Sequence, residues 1–302
     1  MKKFLIIAVT AALILSLTAC GNNKEKSSND GTNNEVTSTK PVVNVVEFQL
    51  KDKVIIDNEL IKLTVSSLKI NTSGNLEINF LCENKSAKKL NLHVKNAAIC
   101  GYAIPSAYWT QELDAGKKAN SVMTIGKQEL ELAYVDVIDE MTLRIAAKAM
   151  EGNYDDIMEE TVSIYPTGLD ASKVVFKDRK PVEGERVIVD NEQFKYIIES
   201  VEYDPNNGYV VRLFIENKTS KYLWLRWDEL SVNDFMIGTS WGAEVLPGLR
   251  LYTKSIISSY DLEKNNIEKL DKFEFVLRAS NGDDYFNTPD CLKERFVYEL
   301  TK

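Results

Sequence analysis

The chain has 302 residues, 37 Lys and Arg against 45 Asp and Glu for a formal charge of -8, one histidine and four cysteines. No basic stripe offsets that acidity, so nucleic acid and anionic wall polymers are repelled on average, and the acidity itself reads as plain solubility. A lone histidine, His93, with no Cys or His cluster beside it excludes a zinc site and a histidine-based hydrolase, and no metal or cofactor is expected.

Taken in chain order, Lys2 and Lys3 precede an apolar run over residues 4–17 that ends in Leu17-Thr18-Ala19-Cys20-Gly21. This pattern predicts an export signal over residues 1–19, since the run falls short of the roughly 20 residues a membrane-spanning helix needs. Leu17-Thr18-Ala19-Cys20 resembles the bacterial lipobox. The resemblance implies that the Cys20 sulfur takes a diacylglyceryl group, that cleavage makes Cys20 the mature N-terminus, and that the protein is extracytoplasmic and anchored to the cell membrane. The alternative is an ordinary cleaved signal with an incidental cysteine. Two acyl chains suffice for stable anchoring, whereas one is marginal. Residues 20–41 are almost wholly Asn, Ser, Thr, Lys, Asp and Glu, a composition that buries too little to order itself and predicts a flexible tether.

About 260 residues remain, which suits two domains, and an internal repeat divides them. Val54-Ile55-Ile56-Asp57-Asn58-Glu59 returns as Val187-Ile188-Val189-Asp190-Asn191-Glu192, and Glu83-Asn84-Lys85 returns as Glu216-Asn217-Lys218 at the same offset of 133. One residue is then lost: Trp109 and Gly116 match Trp241 and Gly248, and Asp139 to Leu143 match Asp271 to Phe275, at an offset of 132. A period of this length is a duplicated domain, not a solenoid unit. The predicted domains are residues 42–167 and 169–302, with a boundary at Tyr165-Pro166-Thr167-Gly168.

Each copy reads as short strands of period-two character. In Leu76-Glu77-Ile78-Asn79-Phe80-Leu81-Cys82 the even positions point inward, Cys82 among them as a small hydrophobe. Cys100 falls in a turn, so with Cys291 the three remaining cysteines predict no structural disulfide. Asn84-Lys85-Ser86 and Asn217-Lys218-Thr219 fit a glycosylation sequon but are read as turns whose Asn side chains bond the backbone two residues on. Hairpin turns are expected at Asn71-Thr72-Ser73-Gly74 and over residues 204–208, and a helical turn after Ser258 from the capping box Ser258-Ser259-Tyr260-Asp261. The resulting fold class is all-β, two tandem immunoglobulin-like β-sandwiches after a signal peptide and a disordered tether.

Both halves resemble the uncharacterised immunoglobulin-like domains that recur, singly or in tandem, in lipoproteins of Gram-positive bacteria. The resemblance rests on the Asn-Lys-Ser/Thr turn, the turn Val232-Asn233-Asp234-Phe235 and the Trp-to-Gly spacing. In the first copy Cys100 replaces the expected Asn of that second turn. The family implies an extracytoplasmic β-sandwich and supplies no catalytic residues.

Carboxylate clusters at Asp155-Asp156 with Glu159-Glu160, and at Asn281-Gly282-Asp283-Asp284, are read as equivalent solvated loops, with a weak cation site or a catalytic pair as the alternatives. Trp109 and Trp241, kept in both copies, read as packing residues and not as a ligand platform. Copy-specific residues say more. Leu90, Leu92 and Val94 match Leu223, Leu225 and Trp227 as an inward face, but the opposite face changes from Lys89, Asn91 and His93 to Tyr222, Trp224 and Arg226. Aromatic residues with Arg are what binding surfaces concentrate, so this face is the candidate site, expected to be covered by the first copy or the interdomain segment near Pro166-Thr167-Gly168, or by a protein or glycan partner, with simple exposure as the remaining alternative. The functional expectation is a non-enzymatic, lipid-anchored binding module of unknown ligand. The alternatives are an envelope carbohydrate-active hydrolase working through Asp or Glu and a purely structural spacer.

Overall fold

The computed structural model describes residues 48–300 apart from 153, 154, 177, 239, 240, 283, 285 and 286. The signal sequence, Cys20 and the tether lie outside the described residues. The first copy runs β1 (Lys51–Asp57), β2 (Ile61–Ile70), β3 (Leu76–Asn84), β4 (Leu90–Ile99), β5 (Tyr102–Ala103), β6 (Thr110–Leu113), β7 (Lys118–Ile125), α1 (Lys127–Leu132), β8 (Met141–Ala149) and β9 (Asp156–Ile164). The second repeats this order as β10 (Arg186–Asp190), β11 (Phe194–Asp204), β12 (Gly208–Asn217), β13 (Tyr222–Val232), β14 (Phe235–Met236), β15 (Gly242–Val245), β16 (Arg250–Ser258), α2 (Ser259–Lys264), β17 (Lys272–Gly282) and β18 (Asp290–Glu299).

Within each copy two antiparallel sheets enclose a buried apolar core: β1-β2-β3-β7 against β5-β4-β8-β9 with β6 on β4, and β10-β11-β12-β16 against β14-β13-β17-β18 with β15 on β13. The fold is therefore all-β, built as tandem sandwiches. Alternation produces the cores directly: Leu76, Ile78, Phe80 and Cys82 of β3 are buried while the residues between them are half-exposed. Burial pushes the Cys82 thiol up to about 12. Cys82, Cys100 and Cys291 are all free thiols.

The residues that mark the repeat are the ones that satisfy the backbone. Asn84 is 3% exposed and Asn217 1%. The Asn217 amide nitrogen donates to the carbonyls of Lys221, Val245 and Leu246 at 2.7, 2.9 and 3.1 Å, and its oxygen accepts from the Thr219 amide and hydroxyl. Asn84 makes the same set with Lys88, Leu113, Asp114 and Ser86. Each Asn closes its own turn as expected and also pins the neighbouring loop, a burial that leaves no room for a glycan. Lys85 and Lys218 then reach Asp57 and Asp190 across the sandwich edge. Asn58 and Asn191 accept from the two amides that open the next strand.

Turn chemistry fixes the hairpins. At Gly208, φ is +99°, and a Cβ would lie 2.3 Å from the Ile257 carbonyl oxygen, so only glycine fits. Ser258 caps α2 by accepting from the Asp261 amide at 3.1 Å. The turns at Cys100-Gly101 and Asn233-Asp234 both have positive φ at both central residues, which makes them type I′ despite the cysteine. The Asn233 amide donates to the Lys269 carbonyl, whereas the Cys100 thiol lies 3.5 Å from the Val137 carbonyl at the matching position.

The copies meet through the second copy's four-stranded sheet. β16 pairs in parallel with β5 at Arg250 and Tyr102, joining the two copies into one nine-stranded sheet. The outward residues Ile197, Phe214 and Tyr252 are buried as part of the first copy's apolar cluster. Tyr252 lies 5.4 Å from Tyr102, 4.8 Å from Tyr134 and 5.0 Å from Phe214, ring centre to ring centre. The connecting segment adds Arg179, whose guanidinium lies 4.8 Å over Phe214 and is held by Glu185 and the buried Glu199. Burial pushes Glu199 above the usual carboxylate range, with Arg179 opposing.

Candidate functional site

Alternation along β13 puts Leu223, Leu225 and Trp227 into the core and leaves Tyr222, Trp224 and Arg226 half-buried on the outer face. Trp227 is held inside by donating to the Tyr196 hydroxyl at 2.9 Å and by stacking on Phe275 at 4.5 Å. On the outer face the Tyr222 and Trp224 rings are nearly parallel, stacked at 13° with their centres 5.8 Å apart. Arg226 donates to Asp228 at 3.3 Å, where Arg278 and Asp290 extend a chain of ion pairs.

Tyr222 and Trp224 line a cleft between the copies. One lobe of about 330 Å³ is bounded by these rings with Lys95, Asn96, Arg144 and Glu244. A second lobe of about 300 Å³ shares Lys95, Asn96 and Glu244 and continues along Ile104 and Pro105 of the first copy and Leu246 of the second. β15 supplies Glu244 directly opposite Trp224 in the ladder. Arg144 of β8 crosses from the first copy, donating to the Tyr222 hydroxyl with its guanidinium 5.7 Å from the ring centre.

The first acidic cluster serves this wall. Asp156 and Glu159 lie on β9 and not in a loop, a correction that follows from their ladder pairing with β8. Lys95 donates to both, at 2.9 and 2.8 Å, Arg144 donates to Glu159, and His93 stands 3.3 Å from Asp156. Lys95, aided by Arg144, holds Glu159 below the usual range. Burial acts to raise Asp156, but Lys95, His93 and Lys148 outweigh it and its carboxyl is also lowered. In the second cluster Asn281 and Gly282 end β17, Asp284 is exposed, and Asp283 lies outside the described residues.

Both repeated tryptophans pack. Trp109 packs tilted against Phe80 at 5.0 Å and donates to Ser121, and Trp241 lies 5.2 Å from Trp227 and 5.9 Å from Tyr196. The sequence reading named Tyr222, Trp224 and Arg226, of which the first two line the cleft. It missed Lys95, Asn96, Arg144 and Glu244. A signal existed for Arg144, since at the offset of 132 its counterpart is Val276.

Chemically the cleft offers aromatic faces, amide, ammonium and guanidinium donors and one carboxylate. Such a set holds a ligand by stacking and hydrogen bonding. Hydrolysis by paired acids needs two carboxyl groups about 5 to 9.5 Å apart, and Glu244 is the single carboxylate in the described lining. Among the described residues no three His, Cys, Asp or Glu side chains form a group that could hold a metal.

No protein-family model matches the chain, and no curated protein matches it. Among solved structures, it is similar to the Salmonella enterica SafA pilin in complex with the SafB chaperone, at 11% identity and a TM-score of 0.23, over 81% of this chain and 98% of that one. It is also similar to red sea bream transglutaminase, at 10% identity and a TM-score of 0.20, over 86% of this chain and 32% of that one.

Proposed function

We propose that this protein is a lipid-anchored, extracytoplasmic binding module, one of the tandem immunoglobulin-like lipoproteins of Gram-positive bacteria, which holds a glycan or protein segment in the cleft between its copies without turning it over. The observation that carries this reading is the stacked Tyr222 and Trp224 pair, half-buried on an outer sheet face beside a cleft with polar groups on both walls. A solvated strand face has no use for two large rings, as the Lys89, Asn91 and His93 of the first copy illustrate. Lipid on Cys20 would keep the module at the membrane surface.

The test is binding of wall glycan fragments and of surface proteins to the chain from Gly21 onward, with Trp224→Ala and Tyr222→Ala beside it. Loss of a bound species in both variants at nearly unchanged unfolding midpoint supports the cleft. Equal binding by all three chains refutes it, and glycan turnover abolished by Glu244→Gln replaces it with the hydrolase. A spacer is the second reading, favoured by the shared nine-stranded sheet and its ring cluster, and it predicts no ligand at all.

A further inference from the structure

The element that joins the two copies recurs in the second copy, where among the described residues its strand β14 pairs with β13 alone. In the first copy the hairpin at Cys100-Gly101 presents β5: the Gly101 carbonyl accepts from the Arg250 amide at 3.0 Å, and Tyr102 is buried at the junction. The second copy builds the same hairpin at Asn233-Asp234, with the same type I′ turn and the same closing bond, Ile237 amide to Leu230 carbonyl as Ile104 amide to Ala97 carbonyl. Its β14 carries Phe235 at 49% and Met236 at 64% exposure. This tip thus presents partly exposed apolar side chains where the first copy's Tyr102 is buried against the second copy.

The receiving edge also recurs. Arg250 opens β16 and is braced by Glu216 at 3.1 Å, and Lys118 opens β7 and is braced by Glu83 at 2.7 Å. The carbonyl before each is taken by the buried Asn of the repeat, Leu249 by Asn217 and Lys117 by Asn84, so the amides of Arg250 and Lys118 both face outward. Arg250 spends its amide on the first copy. Among the described residues β7 pairs with β3 alone.

We infer that the chain associates with a second copy of itself head to tail, the Phe235 hairpin of one molecule docking on the β7 edge of the next in the geometry that Tyr102 and β16 already adopt within the chain. The Lys118 amide would meet the Asp234 carbonyl, and the Lys118 ammonium would lie over the Phe235 ring as Arg250 lies over Tyr102 at 6.0 Å. Because donor and acceptor are different surfaces at different ends, the contact is heterologous and open, and it grows short filaments instead of closing a dimer. It is also weaker than the internal junction, since the outward aromatics Phe214 and Tyr252 have Leu81 and Asn120 as their counterparts.

Sedimentation velocity on the chain from Gly21 onward, which keeps every described residue, tests this across about 5 to 500 μM, where a small interface of this kind dissociates. The wild-type sedimentation coefficient is expected to rise with concentration without reaching a dimer plateau. Phe235→Asp with Met236→Asp blocks the donor, and Lys118→Pro removes the edge amide at a strand start that tolerates proline. Should Lys118→Pro fail to fold, Asn120→Lys charges the same edge. Each blocked chain alone stays monomeric, and the two mixed form a capped dimer. Leu81→Phe with Asn120→Tyr, which restores the aromatic acceptor, moves association to at least about tenfold lower concentration. A wild-type chain that stays monomeric across the range overturns the inference, as does association that survives either block.

Discussion

Replacing Asn217 with alanine tests whether the repeat motif exists to satisfy buried backbone. The amide nitrogen has two hydrogens for the carbonyls of Lys221, Val245 and Leu246, so one is shared, and the oxygen accepts from both polar groups of Thr219. Four effective hydrogen bonds at about 1 kcal/mol net each place the loss near 3 to 4 kcal/mol, a large part of the roughly 5 to 15 kcal/mol that holds a domain folded. Asn217→Asp is the sharper variant. It keeps the shape but puts a carboxylate oxygen where the amide donor faced three carbonyl oxygens, so its cost should equal or exceed that of alanine. Urea unfolding followed by tryptophan fluorescence reads the effect, because Trp224, Trp227 and Trp241 belong to the second copy and Trp109 alone to the first. Asn84→Ala should produce a matching loss on the Trp109 side. A cost below about 1 kcal/mol at unchanged denaturant slope, or an Asp variant milder than Ala, would refute the reasoning.

Glu199 has its carboxyl raised above its ordinary 4.5, so the stability it lends is complete below that value and lost as pH rises through the folded value; melting of wild type against Glu199→Gln over about pH 4 to 7 should show wild type falling behind, and a pH-independent gap counts against it. Residues 42–167 and 169–302 expressed apart should each fold, and Tyr252→Ala should cost about 2 to 4 kcal/mol in the tandem chain but under about 1 kcal/mol in the second copy alone. Equal losses in both settings would mean that Tyr252 serves only its own sandwich. Cys20→Ala should leave the protein uncleaved or released, with no lipid on its N-terminus; detergent partitioning equal to wild type refutes the anchor.

The sandwiches were legible because period-two burial and turn chemistry are local. Leu223, Leu225 and Trp227 set the register of β13 from three positions, and the Asn-Lys-Ser/Thr turns announced themselves in both copies. What the sequence hid depends on partners far along the chain. Phe214 sits between the inward Leu213 and Ile215, so the run reads only as a strand buried on both faces and does not say what covers the second face. Comparison of the copies, applied to Leu81 and Asn120 as it was to His93, would have pointed to Phe214 and Tyr252. Asp156 and Glu159 looked like loop acids because Lys95 and Arg144, which neutralise them, lie on other strands whose alignment no spacing reveals. The second-copy platform was visible as a change of character on one face, but its opposite wall belongs to the first copy.

The junction itself has an uneven stiffness. One parallel backbone pair links the copies, and four rings fill the space around it. Ring contacts are short-ranged yet tolerant of small rotations, whereas a ladder of hydrogen bonds resists shear at every rung. The angle between the sandwiches is thus governed by side-chain volume at Tyr102, Tyr134, Phe214 and Tyr252, and a change of one ring would re-aim the second sandwich while both remain folded.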